Sequence, residues 1–271
     1  MRGWWREIAG LVLPVACGGC GRPRTVLCPD CAEALTGPGP RRVRPAPEPA
    51  GLPAVHAAAP YAESVRELLL AHKERGALAL AGPLGDALAA AVTAAAGPVT
   101  GPGSPPLLLV PVPSSRRSVR ARGHDPTRRI ALAAAARLRR AGRAARVVPV
   151  LRQRRYVADQ AGLGARGRLT NLAGALEVVP GGARLLGAGR VVLVDDLMTT
   201  GASLAEAARA LGAVHRSFIP GLPRALPERS QDSSAQHGFE QRQAAVVASS
   251  PGSFEINRNS PGTWIVAGGE R

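Results

Sequence analysis

Asp195 and Asp196 are adjacent acids at the end of an apolar run, Arg190-Val191-Val192-Leu193-Val194, and Leu197-Met198-Thr199-Thr200-Gly201-Ala202-Ser203-Leu204 follows them. Two neighbouring carboxylates can accept hydrogen bonds from the vicinal hydroxyls of a ribose. The hydroxyls of Thr199, Thr200 and Ser203 can donate to a phosphate, and Gly201 lets the backbone come close to an anion. The elements that must hold these groups are legible in the same string. The apolar run predicts a buried parallel strand over 191–195, and the Ala-rich stretch from about 202 to 212 predicts a helix beginning at Ala202. A helix amino terminus presents unpaired N–H groups and the positive end of the dipole, which suits phosphate. A phosphate grip at one end and a diol-binding acid pair at the other describe a site for a 5-phosphoribosyl group. An ordinary buried strand followed by a capped helix would account for either half alone.

Cys17, Cys20, Cys28 and Cys31 are the only cysteines, spaced as two C-x2-C pairs. Four thiolates at that spacing can close a tetrahedral zinc site with no position left for water, so the expected zinc is structural. Gly18, Gly19 and Gly21 suit a tight metal knuckle. A redox dithiol pair or incidental cysteines are the alternatives.

With 271 residues, the chain has room for one α/β domain and a small appendage. Hydrophobic residues make up 45% but aromatics only 3%, so Ala, Val and Leu must fill the core. The formal charge of +16 is carried almost wholly by arginine, Lys73 being the only lysine. Such a surplus suits phosphate-rich partners, including nucleic acid, or simply keeps a surface solvated. The scarcity of aromatics argues against base stacking on a single strand. No run reads as long enough to cross a bilayer, and the start, with Glu7 before a short apolar stretch, lacks a convincing cleavage site. A cytoplasmic location without membrane insertion is expected.

Residues 1–40 read as the four-cysteine module, 41–60 as a Pro/Gly/Arg linker and 61–271 as the main domain. Helices are predicted over Tyr61 to Ala71, Gly82 to Ala96 and Pro126 to Ala141, and strands at Leu107 to Pro113 and Arg146 to Val150. Pro113 to Arg122 reads as a basic loop, and 152–175 as a long polar one. The βα alternation argues for a parallel sheet with helices on both faces, whose ligands lie at the carboxyl ends of strands. Residues 214–243 lack a regular period and read as an insertion or a disordered excursion before the strand Ala244 to Ala248.

In this order the features resemble the ComF family of phosphoribosyltransferase-like proteins, which includes the GntX proteins and is linked in several bacteria to DNA uptake during natural transformation. The acid-pair string is similar to the phosphoribosyl-pyrophosphate (PRPP) motif of type I phosphoribosyltransferases. The cysteine module matches, as does Tyr61…Val65-Arg66-Glu67-Leu68…His72-Lys73-Glu74-Arg75-Gly76. The family's "PVP", basic stretch and "RGFNQ" correspond to Pro111-Val112-Pro113, Arg116-Arg117 and Arg122-Gly123-His124-Asp125-Pro126. Its "Q-x-G-L" and "R…N" patterns correspond to Gln160-Ala161-Gly162-Leu163, Arg166 and Asn171. His124-Asp125-Pro126 departs from the family's Phe-Asn-Gln, and the irregular 214–243 stretch departs from its short turn.

The resemblance implies a type I phosphoribosyltransferase fold with a small N-terminal zinc-binding module. It implies that Arg116, Arg117, Arg120 and Arg122 face the pyrophosphate of PRPP, and that the Tyr156 to Asn171 segment covers the site. Magnesium would enter with PRPP, Asp195 and Asp196 would serve catalysis by holding the diol, and Thr199, Thr200, Gly201, Ala202 and Ser203 would grip the 5′-phosphate. Two readings stay open: a phosphoribosyltransferase, a glycosyltransferase whose acceptor is a base or amine, or a non-catalytic competence component that binds PRPP, single-stranded DNA or DNA-uptake proteins. His124 is a conceivable acid/base or an incidental loop histidine.

Overall fold

The computed structural model describes residues 15–98, 103–155, 165–218 and 243–255. The run at β3 (Leu107–Pro111) is buried at every position and does not alternate, because layers of side chains cover both of its faces. Its neighbour β7 (Arg190–Met198) is apolar for the same reason. They lie in a six-stranded sheet with β1 (Arg41–Val43), β2 (Ala54–Pro60), β4 (Ala145–Val147) and β8 (Gln243–Ser249), ordered β1-β2-β8-β7-β3-β4. All pairings are parallel except β1 with β2.

One face of the sheet carries α1 (Pro29–Thr36), α2 (Glu63–Glu74), α3 (Ala81–Ala96) and α5 (Pro126–Arg140), packed on Leu107, Leu109, Val192, Val194 and Val247. The other carries α7 (Gly182–Leu186) and α8 (Ala202–Phe218), with an antiparallel hairpin of β5 (Leu151–Gln153) and β6 (Leu176–Val178). Glu206 of α8 ties that hairpin down by accepting the Leu176 N–H at 2.9 Å. The molecule is thus a mixed α/β fold with a mostly parallel central sheet between helices.

The winding reverses between β3 and β7. Strand β3 leads through α5 to β4 on one side, and β7 leads through α8 to β8 on the other. A crevice outside the carboxyl ends of strands is expected at such a switch point. Here β7 loses its β3 partner after Val194, which pairs with Pro111, but keeps β8 as far as Met198 opposite Ser249. Asp195 and Asp196 lie where β3 has already turned away.

Several expectations are corrected. Residues 41–60 are not a linker: β1 and β2 belong to the sheet, and β2 pairs with β8 along its length. Its Ala-rich sequence has weak strand propensity, and burial between neighbours decides the outcome. The basic loop is largely a helix, α4 (Arg116–Arg122), capped by the Ser115 hydroxyl, which accepts the Ser118 N–H at 3.0 Å. The polar stretch 152–175 contains α6 (Ala165–Leu172), while 156–164, including Gln160 to Leu163, lie outside the described residues. Strand β7 runs three residues past Asp195, and α8 runs to Phe218, into the expected irregular segment. The remainder of that segment, 219–242, and the tail beyond Glu255 lie outside the described residues. Pro251–Glu255 form α9.

The stretch Leu78–Ala96 is long and apolar enough to cross a membrane by length and composition, although no run was expected to be. Half of it is buried, where α3 packs on the sheet and beside α5 through Leu84, Leu88, Ala91 and Val92. Its apolar character is accounted for by that core position.

Candidate functional site

Both acids are buried and neither is alone. The Lys73 ammonium at the end of α2 donates to Asp196 Oδ2 at 2.8 Å. Asp195 Oδ1 accepts the Asp196 N–H at 2.9 Å and the Thr127 hydroxyl, from the first turn of α5, at 3.3 Å. Burial pushes the Asp195 carboxyl well above its ordinary range, and the adjacent Asp196 charge adds to the rise. Burial acts on Asp196 in the same direction, but the Lys73 charge and hydrogen bond outweigh it and hold that carboxyl below its ordinary value. The Lys73 ammonium is in turn held protonated by Asp196. The two neighbouring carboxyls are thus driven in opposite directions, Asp196 towards the ionised form by Lys73 and Asp195 towards the protonated form by burial.

The last turn of α2 joins this pair to α4. Glu74 accepts two bonds from Arg122, from Nε at 2.9 Å and Nη2 at 2.8 Å. The His124 ring lies between two carbonyls, Nδ1 3.1 Å from Arg122 O and Nε2 3.3 Å from His72 O. That position makes His124 a spacer between α2 and the turn before α5. Of the four arginines expected to face pyrophosphate, Arg122 is thus committed to Glu74, while Arg117 and Arg120 are exposed. Arg116 begins α4, and its side chain lies outside the described residues. The Arg122–Glu74 pair is partly solvated, so Arg122→Ala should cost under about 1 kcal/mol, checked by urea denaturation.

Thr199, Thr200, Gly201, Ala202 and Ser203 form the turn from β7 into α8 and line one concavity together with Asp195. The first bond within the helix runs from Ala205 N–H to Gly201 O, so earlier N–H groups have no helical carbonyl. Gly201 has φ +75°, and a Cβ there would sit 2.9 Å from Leu52 Cδ1. The positive φ strains any side chain there and a Cβ would push Leu52 aside, so Gly201→Ala should cost more than about 1 kcal/mol. An adjoining concavity is lined by Thr199 and Thr200 with Pro45, Ala46 and Pro47 on one side and Ser250, Gly252 and Ser253 on the other.

The four cysteine sulfurs all lie within 4.8 Å of one another, with Cys20 and Cys28 3.5 Å apart, and none is in a disulfide. Tetrahedral bonds of about 2.3 Å to zinc place sulfurs roughly 3.8 Å apart, so the cluster fits such an ion. Cys17, Cys28 and Cys31 are buried and Cys20 is exposed. Burial pushes the Cys17 thiol up, but N–H groups of Cys20, Cys28 and Gly19 outweigh it and bring it down to about 6. Burial and hydrogen bonds with the other cysteines push Cys31 up to about 12. Metal binding requires these thiols as thiolates, so it releases protons.

The cysteine knuckle is no free appendage. A Cβ on Gly18 would lie 2.7 Å from Leu80 Cδ1 and 3.5 Å from Ala71 Cβ, so the knuckle backbone rests against α2 and the turn after it. Overpacking of this kind costs about 1–3 kcal/mol, so Gly18→Val should lower the melting temperature while leaving all four thiols in place.

Lys73 and Thr127 were not legible as site residues from spacing, since both reach the acids from distant elements. The available signals were that Lys73 is the sole lysine in an arginine-rich chain and that it lies in the His72-Lys73-Glu74-Arg75-Gly76 stretch. No protein-family model matches the chain, and no curated protein does so.

Proposed function

We propose that the protein is a ComF-like member of the type I phosphoribosyltransferase fold that binds PRPP in the crevice between β3 and β7. The observation that carries this reading is the single concavity in which Asp195 meets the Thr199–Ser203 turn. In it the α8 amino terminus and its hydroxyls grip the 5′-phosphate. Asp196, held by Lys73, accepts from the ribose hydroxyls together with Asp195. Arg117 and Arg120 serve the pyrophosphate. Magnesium arriving with PRPP supplies countercharge to the pyrophosphate, in keeping with its preference for phosphate oxygens. Zinc, in a cytoplasmic setting, fills the four-cysteine cluster.

In a transfer reaction the bond from the anomeric carbon to pyrophosphate breaks, and its electron pair leaves on pyrophosphate. A base or amine forms the new bond at that carbon and loses a proton. The Asp196 charge eases the positive character that develops on the sugar. The test is magnesium-dependent release of pyrophosphate from PRPP, screened over amine and base acceptors and lost in Asp195→Asn/Asp196→Asn.

A second reading, a non-catalytic DNA-uptake component, is favoured by the outer face of α5. Arg128, Arg129, Arg137, Arg139 and Arg140 are all exposed there. Affinity for single-stranded DNA that falls steeply with salt and survives the double Asn change supports this reading.

A further inference from the structure

We propose that Lys73 is a positioning residue of the ribose-phosphate site, holding Asp196 in the orientation and charge state that receive the sugar. The inference rests on the PRPP reading and deepens it. Lys73 is the only lysine among 35 lysine and arginine residues, and it is the cation that meets the acid pair. Everywhere else this chain uses a guanidinium. A compact ammonium on a flexible stem fits a point contact to one carboxylate oxygen, whereas a planar guanidinium fork needs room for two parallel bonds. The receiving side chain is only 6% exposed, while that of Lys73 is 33% exposed, so the ammonium reaches inward to a buried carboxylate.

The stem is held from both sides. His72 is fully buried, with its carbonyl beside the His124 ring, and Glu74 is bonded to Arg122. Three successive residues of α2 thus bind three different places, and the middle one takes the acid. The charged and titratable groups around the pair are Asp195 on β7, Arg122 on α4, and His72 and Glu74 on α2, with His124 behind them. Among the described residues, Lys73 is the one cation in an ion pair with either acid.

The test uses the full-length, metal-loaded protein with Lys73→Met, which keeps the stem without the charge, and Lys73→Arg. Magnesium-PRPP affinity is measured by calorimetry as a function of pH. Lys73→Met should weaken binding at neutral pH at least tenfold. It should also move the acid limb of the affinity profile upward by at least one pH unit, since Asp196 then ionises without a partner. Lys73→Arg should leave the limb in place and lose between three- and tenfold. Because Lys73 is the sole lysine, its acylation by an N-hydroxysuccinimide ester is read directly by peptide mass spectrometry. The acylation should run at least fivefold faster in Asp196→Asn. Lys73→Met binding within twofold of the parent with an unmoved limb overturns the inference while leaving the PRPP reading intact, as does an unchanged acylation rate. Absence of binding by the parent protein overturns the PRPP reading, and this role of Lys73 falls with it.

Discussion

Asp195→Asn and Asp196→Asn should both abolish the binding of magnesium-PRPP, and yet only Asp196→Asn should lower stability at neutral pH. Asp196 is ionised and paired with Lys73, so an amide there leaves the ammonium facing a weaker partner in a mostly buried place. Removing one partner of a fully buried pair costs about 3–5 kcal/mol. Lys73 is one-third exposed, so the loss should be smaller, about 1–3 kcal/mol. Asp195 is the opposite case. Burial and the Asp196 charge push its carboxyl towards the protonated form, and an amide is close in shape to that form.

The pH dependence follows from the same directions. Asp195 has a folded value raised above its unfolded one, so its contribution is fully present below about pH 4 and is lost as pH rises through the raised value. Asp196 has a depressed folded value, so its contribution is present above about pH 4 and is lost as pH falls through the depressed value. At pH 7 Asp195→Asn should therefore be at least as stable as the parent, and its stability should be flatter between pH 4 and 7. Denaturant titrations over that range check both signs. A stabilising change that destroys binding marks a residue kept for function.

Removal of the metal from the four-cysteine cluster should lower stability by at least about 3 kcal/mol, or a melting temperature fall of roughly 6–12 °C. The size follows from where the sulfurs lie. Cys17, Cys28 and Cys31 belong to the same buried cluster as Leu35, Leu68, Leu80 and Leu84, so a vacated site would leave thiols crowded inside a core. The effect should spread to α2, against which Gly18 packs, and so to the segment that carries Lys73. Scanning calorimetry before and after chelation, with zinc counted by mass spectrometry, checks the effect. Cys28→Ser/Cys31→Ser should reproduce it without chelator. A metal-free protein that melts at the parent temperature would show the cluster to be no structural centre.

The acid pair, the turn to Ser203 and the cysteine spacing were legible because each is local: its chemistry and its geometry come from residues within one loop or one strand. Strand β2 was not, because Ala57, Ala58 and Ala59 carry little strand preference and become a strand through β8, nearly two hundred residues later. Helix α4 was hidden by its charge, since Arg116-Arg117-Ser118-Val119-Arg120 has no apolar stripe and its one start signal is Ser115. The α3 stretch erred the other way: an apolar run read as short is, with the turn before it, long enough to span a membrane, and the sheet and α5 cover it instead. Thr127 and Lys73 reach the acids across 68 and 123 residues, and no local pattern encodes such a meeting.

Isothermal titration of folded, zinc-loaded protein with PRPP, with and without magnesium, tests the central claim most directly. The expected result is saturable binding at one site per chain that requires magnesium and disappears in Asp195→Asn/Asp196→Asn. A folded, zinc-loaded protein that gives no binding heat with magnesium-PRPP at several temperatures would contradict it.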